Sequence, residues 1–230
     1  VTFGFDPHAD INASDMRYFF DGNGMASAGL SFKLNYNQAS IPFRLASALG
    51  KHQIYSALAA AAVGLHFEMN LVEISEALEK MEFPKQRMRL WRGSKDSWVI
   101  DDTYNASPLS TQAALETLYE FGNKVVGQKG KGRKIAVLGD MRELGMFTEK
   151  AHRLIGNLAG EKTEYLFTVG PAAKFIADSA FNQLPKENIR TFDSSDEAGE
   201  WLKDFIQEGD IVLVKGSRAM EMEKIVEVLT

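Results

Sequence analysis

The spacing of apolar positions changes rhythm twice along the chain. Over residues 1–49 apolar and polar positions alternate in short runs, which predicts strands at 10–19, 26–36 and 39–45. Asp21-Gly-Asn-Gly24 reads as a hairpin turn. Val1-Thr-Phe-Gly-Phe5 also has strand character, and its pairing partner is expected upstream of Val1. Residues 50–69 then take up a helical period, with Ile54, Ala57, Leu58, Ala61, Ala62 and Leu65 on one stripe. A second helix is predicted at 71–81, ended by Pro84. In Phe83-Pro-Lys-Gln-Arg-Met88 proline and charge interrupt the periodicity, which predicts a boundary between a domain of residues 1–84 and one of residues 85–230.

From residue 89 onward short apolar runs alternate with helical stretches. Strands are predicted at 89–93, 97–103, 134–139, 165–169, 189–192 and 211–215, and helices at 109–121, 147–160, 172–181, 195–207 and 219–229. Alternating β and α units predict an α/β domain with a mostly parallel sheet covered by helices, a Rossmann-like arrangement. In such sheets ligands bind outside the carboxyl ends of the strands, so the residues just after each strand carry the candidate chemistry.

Composition narrows the function classes. A formal net charge of −5 gives no basic field to draw the chain to nucleic acid or an anionic membrane. The absence of cysteine excludes disulfide and thiolate chemistry and fits a reducing, cytoplasmic compartment. No apolar run approaches the roughly 18 residues of a membrane span. Four histidines without ligand spacing give no case for zinc, and no metal ligands are assigned.

Three strand ends stand out. Asp101-Asp-Thr-Tyr-Asn-Ala-Ser-Pro108 sets two carboxylates, a phenol and an amide where a strand hands over to a helix. The acids can orient a ribose hydroxyl, a metal-bound water or an amine, or cap the following helix. Tyr104, Asn105 and Ser107 in the same turn favour a site. Leu138-Gly-Asp-Met-Arg-Glu-Leu-Gly145 places Asp140 and Glu143 on the same sheet edge, with His152 on the next helix, read as a partly buried helical histidine. Val214-Lys-Gly-Ser-Arg218 is predicted to open a helix, so that Lys215, Arg218 and the amides of Gly216 and Ser217 form either an anion pocket or a basic surface turn. Arg87, at the boundary, can reach a phosphate held between domains or form a surface ion pair.

Gly127-Gln-Lys-Gly-Lys-Gly-Arg-Lys134 has the glycine spacing of a phosphate loop but not its Lys-Ser or Lys-Thr, and it precedes a strand instead of following one. Its amides could not face an anion at a helix start, so it is read as a solvated, flexible linker.

Together these segments, with Gly50-Lys-His-Gln-Ile-Tyr-Ser-Ala-Leu-Ala-Ala60, Arg87-Met88 and Met222-Glu223, resemble the Mur ligases, ATP-dependent amide-forming enzymes of peptidoglycan synthesis. The match runs in order over essentially the whole chain. The Asp-Asp-Thr-Tyr-Asn-Ala and Lys-Gly-Ser-Arg segments are those of the branch that adds D-alanyl-D-alanine to a UDP-N-acetylmuramoyl-tripeptide. The resemblance implies that residues 1–84 are the β-plus-helix tail of a P-loop ATPase domain and residues 85–230 a C-terminal Rossmann-like domain. The phosphate loop, the magnesium ligands and the UDP-sugar domain would then lie upstream of Val1, and the chain alone would be inactive and monomeric.

By the same resemblance Asp102 binds the ribose of ATP, Arg87 its phosphates, and Ser56 takes the adenine position. Tyr104, Asn105 and Ala106 line the dipeptide pocket. Lys215, Ser217 and Arg218 hold the dipeptide carboxylate or the acyl-phosphate, which makes Arg87 and Lys215 the catalytic cations. One segment departs from the family pattern His-Asn-x-x-Asn-Ala: this chain has Gln53 and Ser56. A serine hydroxyl cannot repeat the paired hydrogen bonds that an asparagine amide makes to adenine. The resemblance therefore leaves open a non-catalytic ligase-like module, or a sister ligase of the folate-extending type.

Overall fold

The computed structural model describes residues 1–21, 27–46, 48–81 and 83–230. They form two compact units, Val1–Phe83 and Pro84–Thr230.

In the first unit β1 (Phe3–Gly4) pairs in parallel with β2 (Ile11–Asp21), so the strand at the amino end finds a partner within the chain. β2, β3 (Ser27–Tyr36) and β4 (Ala39–Ala46) follow as an antiparallel meander. Leu30, Phe32 and Leu34 alternate inward along β3 and pack with Phe43 and Leu45 of β4. That face is covered by α1 (His52–His66) and α2 (Leu71–Glu79) through Ile54, Leu58, Ala61, Ile74 and Leu78. The predicted turn at Gly22-Asn-Gly24 lies outside the described residues.

The second unit is a six-stranded sheet. Its strands are β5 (Arg89–Arg92), β6 (Trp98–Asp102), β7 (Lys134–Gly139), β8 (Tyr165–Val169), β9 (Ile189–Phe192) and β10 (Ile211–Lys215). The order is β5-β6-β10-β7-β8-β9, parallel throughout except for β5. α3 (Pro108–Lys129), α4 (Thr148–Lys162) and α5 (Lys174–Ala180) pack side by side, while α6 (Ser195–Phe205) and α7 (Glu223–Leu229) form a second layer. Val99, Val137, Phe167 and Val212 of the sheet pack with Leu202 of α6 and Ile225 of α7. The last strand in sequence thus slots between β6 and β7. The parallel register sets Lys215 beside Asp102 on one side and Leu138 on the other.

Two expectations are corrected here. The helix predicted to end near residue 121 continues to Lys129 and closes at Gly130 in the left-handed conformation (φ 71°), so the stretch read as a flexible linker is in part helix. Gly122 sits where the Lys134 stem crosses α3: a Cβ there would lie 2.6 Å from Lys134 Cγ. The helix predicted from 219 begins only at Glu223, after a 3₁₀ turn at Arg218–Met220 and a left-handed Glu221 (φ 48°).

Candidate functional site

The carboxyl edge of the parallel sheet gathers the loops after β6, β7 and β10. Asp102, the last residue of β6, is buried, and its carboxylate has two internal donors. Met88 N–H donates to Oδ1 at 3.1 Å, and the Lys215 ammonium donates to Oδ2 at 2.5 Å. Lys215, only 2% exposed, also donates to the Asn105 carbonyl at 2.8 Å. A buried lysine needs such partners, because an uncompensated charge is costly away from water. Here the strand register supplies them. The result is one cation holding the end of β6 and the turn that follows it.

Asp101 alternates to the opposite face of the sheet. Its carboxylate accepts from the Thr103 hydroxyl (2.7 Å) and amide (3.2 Å), with Trp91 Nε1 at 3.4 Å. Burial pushes its pKa up against these hydrogen bonds, and the neighbouring Asp102 adds to the rise.

Arg87 is presented by its flanks. Gln86 and Met88 both have left-handed backbone, φ 63° and 51°. The Gln86 carbonyl accepts from Tyr104 N–H at 3.1 Å, while Met88 N–H is taken by Asp102. Between these ties the exposed Arg87 guanidinium lies 4.1 Å from the centre of the Tyr104 ring, a cation–π contact on a half-exposed phenol.

Asn105 is exposed and its side chain accepts from Ala106 N–H, whereas Ala106 is buried. Ser107 caps α3, exchanging hydrogen bonds with Ser110, and Pro108 stands at the first helical position. Ser217 is 3% exposed: its hydroxyl accepts from Arg142 N–H (2.8 Å) and donates to the Ala106 carbonyl (3.5 Å). Ser217 N–H donates to the Asp140 carbonyl at 3.0 Å. The Ser217 amide is thus spent within the protein and the helix starts only at Glu223, so this amide does not face an anion at a helix start. Arg218 is exposed and pairs with Gln86 Oε1 and Glu223 Oε1, both at 3.0 Å.

The structure thus gathers Arg87, Asp102, Tyr104, Asn105, Ala106, Lys215, Ser217 and Arg218 on one edge. Glu143 is exposed in the loop after β7 with a left-handed backbone, φ 65°. Asp140 is turned inward, its carboxylate accepting from Ala173 N–H at 2.7 Å. His152 is fully buried, not partly so. Ser56 belongs to the first unit, exposed on α1, with Gln53 buried one turn earlier. Sequence reasoning missed Gln86, Thr103 and Arg142. Only the nearness of Gln86 to Arg87 and of Thr103 to the acid pair could have flagged them. Among the described residues no three His, Cys, Asp or Glu side chains are grouped to hold a metal ion. No described helix is long and apolar enough to cross a membrane.

The family described as Mur ligase, glutamate ligase domain, matches residues 86–218. The UDP-N-acetylmuramoyl-tripeptide–D-alanyl-D-alanine ligase of Bacillus subtilis (strain 168) is 30% identical over 227 residues, 98% of this chain and 46% of that protein. A crystal structure of MurF from Acinetobacter baumannii superposes with a TM-score of 0.77 at 28% identity, covering 98% of this chain and 46% of that one. MurF ligase from Thermotoga maritima in complex with ADP has the same fold, with a TM-score of 0.77 at 22% identity over 98% and 47%. The chain spans about half the length of the relatives it matches.

Proposed function

The chain belongs to the Mur ligase family, and on that premise we propose that it is the C-terminal half of an ATP-dependent amide ligase joining D-alanyl-D-alanine to a UDP-N-acetylmuramoyl-tripeptide in the cytoplasm. The observation that carries this reading is the network of Asp102, Lys215 and the Asn105 carbonyl at the carboxyl edge of the sheet, where open α/β sheets take their ligands. The name of the Bacillus subtilis relative supplies the substrate pair.

In such a reaction a phosphoryl group from ATP activates the tripeptide carboxylate, and the dipeptide amine then displaces phosphate to form the amide. What this chain contributes is charge and position. Arg87, laid on Tyr104, offers a guanidinium to phosphate oxygens. Asp102 fits a ribose, since its two donors leave about two of its four acceptor sites for hydroxyls. Tyr104 and Asn105 face the acceptor dipeptide, with Ala106 packed beneath, and Arg218 pairs with the dipeptide carboxylate. Lys215 and Ser217 act by holding the turn, because their polar atoms are engaged inside the protein. Among the described residues no three His, Cys, Asp or Glu side chains are grouped to hold magnesium without further ligands.

Steady-state kinetics of the longer protein test the reading. ADP release should require both the tripeptide and D-alanyl-D-alanine. Asn105→Ala removes the amide but keeps the carbonyl on Lys215, so the dipeptide KM should rise about tenfold while that for ATP holds, the loss of one hydrogen bond. ADP release that ignores the dipeptide would refute it. Ser56 favours one second reading, a ligase-like module that no longer uses nucleotide. Calorimetry of the longer protein with a non-hydrolysable ATP analogue separates the two, since tight binding excludes the module.

A further inference from the structure

We propose that His152 is a positioning residue for the acceptor-dipeptide loop, acting through the Met141 backbone without touching substrate; the inference rests on the ligase reading above. His152 is fully buried in α4 and both its ring nitrogens are engaged. Nε2 accepts Met141 N–H at 3.0 Å, so the proton sits on Nδ1, which donates to the Thr148 carbonyl at 2.7 Å. That carbonyl is one turn back and already takes a backbone donor in the helix ladder. The Nδ1 bond therefore fixes the tautomer and the ring plane.

The Met141 amide is the group that needs His152. It lies just past the end of β7, between two amides anchored elsewhere. Asp140 N–H donates to the Val169 carbonyl of β8, and Arg142 N–H donates to Ser217 Oγ after β10. His152 supplies the acceptor for the middle of three consecutive donors. Each is thus tied to a different element, which fixes the loop in all directions. Ser217 closes the circuit through Asp140 and reaches the Ala106 carbonyl. The preceding Asn105 carbonyl is held by Lys215. A displacement of Met141 and Arg142 is therefore passed through Ser217 to the turn that presents Asn105. The flanks of Arg87 are tied to Tyr104 and Asp102, at the start of the turn, whereas Ser217 is tied to its later residue Ala106.

Two substitutions separate the ring's roles. His152→Gln extends an amide oxygen to the place of Nε2, whereas His152→Asn reaches only the place of Nδ1. In the chain itself, exchange of the Met141 and Arg142 amides is expected to quicken about tenfold in His152→Asn, the equivalent of about 1.4 kcal/mol, and to stay within about threefold of the parent in His152→Gln. Unchanged exchange in both, or equal acceleration in both, overturns the proposal. In the longer enzyme His152→Asn should raise the dipeptide KM about tenfold, with kcat and the ATP KM within about threefold, and His152→Gln should restore it. If exchange behaves as stated but the parent shows no dipeptide-dependent turnover, the ligase reading fails and the clamp stands. Normal dipeptide turnover with unchanged exchange means the reverse. If His152→Asn does not fold, Ser217→Ala breaks the same circuit and should speed Arg142 exchange and raise the dipeptide KM alike; unchanged values overturn the proposal.

Discussion

Lys215 shows how one buried charge organises the site. Its ammonium replaces hydration with one carboxylate and one carbonyl, so removing either side leaves the other unmatched. Lys215→Met is expected to cost about 3–5 kcal/mol in chemical denaturation. Adding Asp102→Asn, which keeps an acceptor for Met88 N–H, should recover most of that loss. Asp101 has the opposite character, since its folded-state pKa lies above the ordinary 3.8. The folded protein then holds the extra proton between the two values, so this contribution stabilises at acid pH and is lost as pH rises through the folded value. Asp101→Asn should therefore gain stability relative to the parent as pH is raised from about 4 to neutrality, followed by urea unfolding at each pH. A difference that shrinks with rising pH would count against it. The sequence displays these residue types openly, because Asp101, Asp102, Tyr104 and Asn105 share one turn. It does not display the pair between Asp102 and Lys215, which depends on β10 entering the sheet between β6 and β7.

At the scale of elements, strand positions were legible because each buried strand is a short apolar run bounded by polar turns. β6 to β10 fall within a residue or so of expectation. Helix ends were less so. α3 runs on past Gly122, where the Lys134 stem crosses it closely, and a 3₁₀ turn delays α7. Small residues carry much of the helix packing. A Cβ at Gly156 would run into the Ile176 carbonyl across the contact between α4 and α5. Gly156→Ala is thus expected to destabilise by about 1–3 kcal/mol, read from the midpoint of thermal or urea unfolding. An unchanged midpoint would mean that the two helices separate freely.

On the scale of the molecule, two compact units with different sheet logic lie along one chain. The alternating β and α units made the second unit legible as a Rossmann-like domain, and its strand-end motifs carried the resemblance to the Mur ligase family. The sequence left open how its polar groups are shared out. Ser217 and Lys215, which look like ligands' partners in the linear chain, hold loops together in the folded one, while Arg87, Tyr104 and Asn105 remain at the surface. The central claim is that this edge serves the acceptor dipeptide of an ATP-dependent ligase. Its most direct test is mass spectrometry of the longer protein incubated with ATP, magnesium, UDP-N-acetylmuramoyl-tripeptide and D-alanyl-D-alanine. The account predicts a UDP-linked product heavier by the dipeptide less one water, formed only when all the substrates are present. ADP release without that product, or no reaction with any combination, would contradict it.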